Sequence, residues 1–142
     1  MRSLLLTFAL LVSASAGAVT PQTGIYWNAQ YPGWAIYIES QNDTVFAVLY
    51  AYSNLDAEPE FYVSSGALLP DVPVDLDPSY AGLFPVAGFG ADLFRVPAGS
   101  CLGCVYAPIA ASERIGSLQL AFVTSGDVLV SARFTDGRTF PN

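Results

Sequence analysis

The feature that most constrains this chain is a two-residue rhythm of apolar side chains across residues 24–66, interrupted by short polar breaks. Successive side chains of an extended strand point to opposite faces, so this beat marks strands with one face buried. In residues 34–39, Trp34, Ile36 and Ile38 share one face, and Tyr37 and Glu39 share the other. Residues 44–52 place Phe46, Val48, Tyr50 and Tyr52 on one side and Val45, Ala47, Leu49 and Ala51 on the other. Both sides are apolar, which predicts a central strand. Tyr31-Pro32-Gly33 and Gln41-Asn42-Asp43 supply turns, the second from residues that tolerate left-handed backbone.

The rhythm continues downstream. Residues 60–66 read as a fourth strand. Residues 80–86 and 89–96 read as two more, hinged at Ala87-Gly88, with Pro85 confining the former to an edge or a bulge. Residues 116–123 set Leu118, Leu120 and Phe122 against Ser117, Gln119 and Ala121, and residues 128–134 align Val128, Val130, Ala132 and Phe134. Asp136-Gly137 is a further turn signal. About eight short strands at hairpin spacing, with no helical stretch, predict an all-β antiparallel fold. Closure removes exposed edges, which favours an up-and-down barrel; a two-layer β-sandwich fits the same pattern.

The first 18 residues read as a secretory signal peptide: Arg2, an apolar run over residues 4–12, then small residues up to Ala18. The run is too short to span a bilayer, which needs about 20 residues. Residues 19–142 then form a single domain, exported to the periplasm or secreted, with no stable membrane insertion after the leader is removed. The domain keeps four arginines against twelve carboxylates, a net charge of −8, and has neither Lys nor His. Such a surface repels phosphate backbones, which excludes nucleic acid as a partner. An unidentified protein, or a small-molecule or glycan ligand, is the expected partner. A longer-stranded outer-membrane barrel would need a polar interior, which these strands do not offer.

Cys101-Leu102-Gly103-Cys104 lies between Pro97 and Pro108 in a loop-like setting. Reactive CxxC pairs usually open a helix whose dipole lowers a thiol pKa, and no helix follows here. In an oxidising compartment Cys101 and Cys104 are expected to close a small disulfide. Two thiolates without His give too few ligands for zinc. Asp71, Asp75 and Asp77 sit in a proline-rich stretch; carboxylates can hold calcium, but the spacing matches no defined calcium loop, so a solvated acidic loop is expected. No catalytic residue, cofactor or metal is implied. The absence of His and Lys excludes Ser-His-Asp and Ser-Lys chemistry. Glu39, Glu58 and Glu60 are the carboxylates nearest the aromatic hairpins, and a facing pair would suit glycoside cleavage. The protruding 70–78 segment would suit an inhibitor of a cationic hydrolase of the lysozyme type. The remaining reading is a non-enzymatic binding domain whose surface draws on Trp27, Trp34, Tyr37, Tyr50, Tyr52 and Tyr62.

Gly24 to Asn28, Pro32-Gly33-Trp34, Tyr50-Ala51-Tyr52, Pro59-Glu60-Phe61-Tyr62 and Gly66 follow one another in a recurring order. So do Tyr80 to Phe84, Gly116 to Phe122 and Asp136-Gly137. In this the chain resembles an uncharacterised β-rich domain of exported proteobacterial proteins, over most of residues 24–137. The shared positions are turn glycines, a turn proline and core aromatics, and Phe61 stands where that family has tryptophan. The resemblance implies a β fold and export, and no chemistry. The opening Gly24-x-Tyr26-x-Asn28 is also similar to the avidin-like barrels. Trp27 is displaced by one position, however, and Trp34 is the only other tryptophan, so a biotin pocket lacks its aromatic walls.

Overall fold

The computed structural model describes residues 20–53, 57–70, 87–96, 102–106, 108 and 112–140. The leader, the expected strand over 80–86, the Asp71/Asp75/Asp77 stretch and Cys101 lie outside these residues. The described chain is all-β. Its strands are β1 (Gly24–Tyr26), β2 (Ala35–Gln41), β3 (Thr44–Tyr52), β4 (Pro59–Leu69), β5 (Ala87–Arg95), β6 (Glu113–Phe122), β7 (Val128–Phe134) and β8 (Thr139–Phe140). They form one antiparallel sheet in sequence order, β1 to β8, rather than two stacked layers. The sheet curls over its own core as a half-barrel. Its first and last parts approach each other: Gln22 N donates to Ser125 O at 2.7 Å, and the Trp34 and Phe140 rings meet edge to face at 4.7 Å.

Local chemistry explains the joints. Asn42 and Asp43 adopt φ of 46° and 61°, and Gln41 pairs with Thr44, so β2 and β3 are joined by a two-residue hairpin of the kind that needs left-handed backbone at both positions. Pro59 opens β4, where a missing N–H is tolerated. Gly137, at φ 90°, turns β7 into β8. The Ala87-Gly88 pair is not a turn. Both residues are buried within β5, with Gly88 seated between Leu69 and Ala121 in the ladders on either side.

The concave face carries the core: Ile36 and Ile38, Val45, Ala47 and Leu49, Tyr62, Phe89 and Leu93, Leu118, Leu120 and Phe122, and Ala132. Alternation therefore placed Leu118, Leu120 and Phe122 on the dry side. Two irregularities shape this face. The β4–β5 ladder pairs Tyr62 and Val63 with Arg95 and Phe94, then Leu68 and Leu69 with Phe89 and Gly88. Between the two runs, buried Ser64 donates its hydroxyl to Asp92 O at 2.8 Å. In the β5–β6 ladder, Leu93 pairs with Gly116 but Phe94 pairs with Arg114, so Ile115 bulges out. Thr135 N and Oγ1 both donate to Ile115 O, at 2.8 and 3.2 Å, and pin the bulge to β7.

Candidate functional site

The outer face of the sheet is divided. Across β1–β4 the register aligns two apolar rows: Ile25–Tyr37–Val48–Val63, and Ala35–Tyr50–Phe61. Phe46 lies one row further along, between Glu39 and Ser65, and Tyr52 lies beyond Tyr50 opposite Pro59. Trp27 follows β1 directly. Tyr50 and Phe61 are each 46% exposed, Tyr52 59% and Trp27 69%. The strand β3 is central in sheet order, as its two apolar faces predict, yet the face holding Phe46, Tyr50 and Tyr52 is wet. The same face of β5–β7 mixes Asp92, Ser117, Gln119, Ser131 and Arg133 with half-buried Phe94 and Leu129 and buried Ala121, and Arg114 Nε bridges to Asp92 Oδ1 at 2.8 Å.

Three of the six aromatics singled out in the sequence, Tyr37, Tyr50 and Tyr52, stand on this outer face, and Trp27 is exposed just beyond β1. Two do not. Tyr62 is only 3% exposed and packs edge to face on Phe134 in the core, at 5.5 Å. Trp34 shares the concave face with Ile36 and Ile38 and lies half-buried against Phe140. Ile25, Phe46 and Phe61 belong to the exposed surface and were not singled out. The signal for Phe61 was its adjacency to Tyr62: once one of the pair is assigned to the core, the other must face outward.

The carboxylates do not converge. Glu39 lies on the outer face near the β2–β3 turn, where it accepts from Tyr37 OH at 3.4 Å and Gln41 Nε2 at 2.6 Å. Partial burial and the adjacent Glu39 raise the Tyr37 pKa above its ordinary value. Glu60 belongs to the concave face at the opposite end of the sheet, and Glu58 to the loop before β4. Glu39 and Glu60 therefore flank no common cleft and do not form a glycoside-cleaving pair with each other. Among the described residues there is no cluster of His, Cys, Asp and Glu able to hold a metal ion.

At its end of the sheet Glu60 knits β4 to its neighbours. It accepts from the Tyr62 hydroxyl and from Arg95 Nη2, the latter at 3.2 Å. Arg138 stacks on Phe134 with its guanidinium carbon 4.7 Å from the ring centre, and its Nε donates to Asp136 Oδ2 at 2.7 Å. Burial, then the Glu60 carboxylate, push the Tyr62 phenol up to about 12, against an opposing pull from Arg138. These groups satisfy one another, as buried and half-buried polar groups must. They work as a latch holding the β7–β8 hairpin over the core.

No helix of the described chain is long and apolar enough to cross a membrane. No family model, curated protein or solved structure matches the chain.

Proposed function

We propose that this is an exported, non-enzymatic binding domain that docks its partner on the aromatic half of its outer face. One observation carries the reading: large apolar side chains on the outer face are exposed across β1–β4, through Ile25, Phe46, Tyr50, Tyr52 and Phe61 with Trp27 exposed just after β1, whereas on β5–β7 the apolar residues of that face, Phe94, Ala121 and Leu129, are half-buried or buried among polar ones. Scattered exposed apolar residues are ordinary, but a contiguous patch of this size marks a surface that is covered in use. Aromatic rings suit that role, because they bring large contact area with little conformational entropy to lose. The leader expected over residues 1–18 and the resemblance to exported β-rich domains both fit a protein working outside the cytoplasm.

Site-specific photo-cross-linking in exporting cells tests this. A benzoylphenylalanine at Phe61 is expected to give discrete adducts, whereas the same probe at Ser131 on the polar half gives none. Equal yields at the two positions, or no adduct from Phe61, would remove the proposal.

A further inference from the structure

We infer that the partner on this face is a second copy of the same chain, packed sheet against sheet about a two-fold axis; the inference rests on the docking reading above. Size is the first argument. Ile25, Trp27, Phe46, Tyr50, Tyr52 and Phe61 are each between 40 and 69% exposed. With ~150–250 Å² for a whole aromatic side chain, they present on the order of 500–800 Å². That lies at or above the top of the range for the largest patch of a typical monomer, ~300–600 Å², and its upper end reaches the ~800 Å² per partner of a stable interface.

Charge is the second argument. A two-fold contact sets one patch against itself, residue i meeting j and j meeting i, so a patch whose charges share one sign repels itself. A patch with few charges escapes most of that repulsion. The two apolar rows across β1–β4 contain no ionisable group except the Tyr37 and Tyr50 phenols. Glu39, directly across from Phe46 in the next row, is the one carboxylate on this face of β1–β4 and is already engaged by Tyr37 and Gln41. The domain's excess of carboxylates works against cohesion elsewhere on the molecule. A cationic partner would seek those carboxylates rather than a face with one.

The geometry of sheet packing is the third. Phe46, Val48, Tyr50 and Tyr52 recur at every second position of β3 and form a strip about 20 Å long at ~3.4 Å per residue. Two such faces interdigitate at ~10 Å when sheets stack. The pairing would give each half-barrel the second layer that its own chain does not provide among the described residues.

Net repulsion outside an apolar contact gives this dimer an unusual salt response. Screening shortens the reach of like charges to ~10 Å at 0.1 M salt, so added salt strengthens the dimer. A contact built on opposite charges would weaken instead.

Sedimentation equilibrium of the exported protein, purified as the cell delivers it, tests the inference between about 1 and about 200 µM, a range that brackets micromolar self-association. The expected result is twice the chain mass at the upper concentrations, with a Kd that falls as NaCl is raised. Tyr50→Glu buries an unpaired carboxylate in each copy and is expected to weaken association by at least about 100-fold. Ser131→Glu, on the polar half, is expected to leave it unchanged. Circular dichroism confirms that both variants fold. A monomer throughout, a dimer indifferent to Tyr50→Glu, or a dimer that dissolves as salt is raised would each overturn the inference. A monomer whose Phe61 still cross-links to another molecule in cells, a glycan or a foreign protein, overturns the second copy and leaves the docking reading standing.

Discussion

Gly116 carries the sharpest stability prediction. It sits beside the Ile115 bulge, where β6 runs closest to β7. A Cβ added there would lie 2.1 Å from Arg133 O and 3.0 Å from both Arg133 C and Phe134 Cα. All three atoms are backbone, so no side chain can swing aside. Reaching even 3.0 Å from the oxygen needs about 0.9 Å of separation between the strands. That movement stretches the 2.8 Å bond from Thr135 N to Ile115 O toward 3.7 Å and strains the neighbouring Gly116–Phe134 pair. Two weakened hydrogen bonds at about 1 kcal/mol each, plus about 1–3 kcal/mol of overpacking, give a loss of about 3–5 kcal/mol for Gly116→Ala. Gly90 is the internal control. It lies in the facing strand β5, and an added Cβ meets nothing within 4 Å. Gly90→Ala is expected to be neutral or to stabilise by up to about 1 kcal/mol through a less flexible unfolded chain. Urea unfolding followed by tryptophan fluorescence and circular dichroism measures both variants. A Gly116→Ala midpoint matching that of Gly90→Ala would refute the reasoning.

Ser64→Ala removes the hydroxyl that serves Asp92 O in the gap of the β4–β5 ladder, and should cost about 1–3 kcal/mol by urea unfolding. A change within error of zero would mean the carbonyl has another donor. Tyr62 predicts an alkaline limit. Its folded pKa of about 12 exceeds the unfolded value near 10, so the stability it contributes is intact below pH 10 and is lost as pH climbs toward 12. Tyr62→Phe should flatten that part of the stability–pH curve, and an unchanged slope would contradict the Glu60 latch.

The sequence rhythm carried the architecture because one residue of strand slip would turn every core side chain outward. Ile36 and Ile38, Val45, Ala47 and Leu49, and Leu118, Leu120 and Phe122 were legible for that reason, as were the turns at Asn42-Asp43 and Asp136-Gly137. The outer face of β3 was not. Phe46, Val48, Tyr50 and Tyr52 are apolar enough to be core, and alternation reports which residues share a face but not what lies against it. Tyr62 was taken for a surface residue because Phe61 beside it is equally aromatic, and only the pairing with β3 distinguishes them. The bulge at Ile115 was hidden because a single extra residue leaves no compositional mark beyond Gly116. The strand β8 is only two residues long, too short for a periodicity. Glu39 and Glu60, close in sequence terms, were separated by the face each occupies and by the length of a strand.

Hydroxyl-radical footprinting of the dilute protein tests the divided sheet most directly, read residue by residue along β4. Phe61 and Tyr62 are chain neighbours of similar intrinsic reactivity, 46% and 3% exposed. Rapid oxidation of Phe61, Tyr50 and Tyr52 beside a protected Tyr62 is the expected pattern. Oxidation of Tyr62 with protection of Phe61 would mean that the register, and with it the aromatic outer face, is inverted.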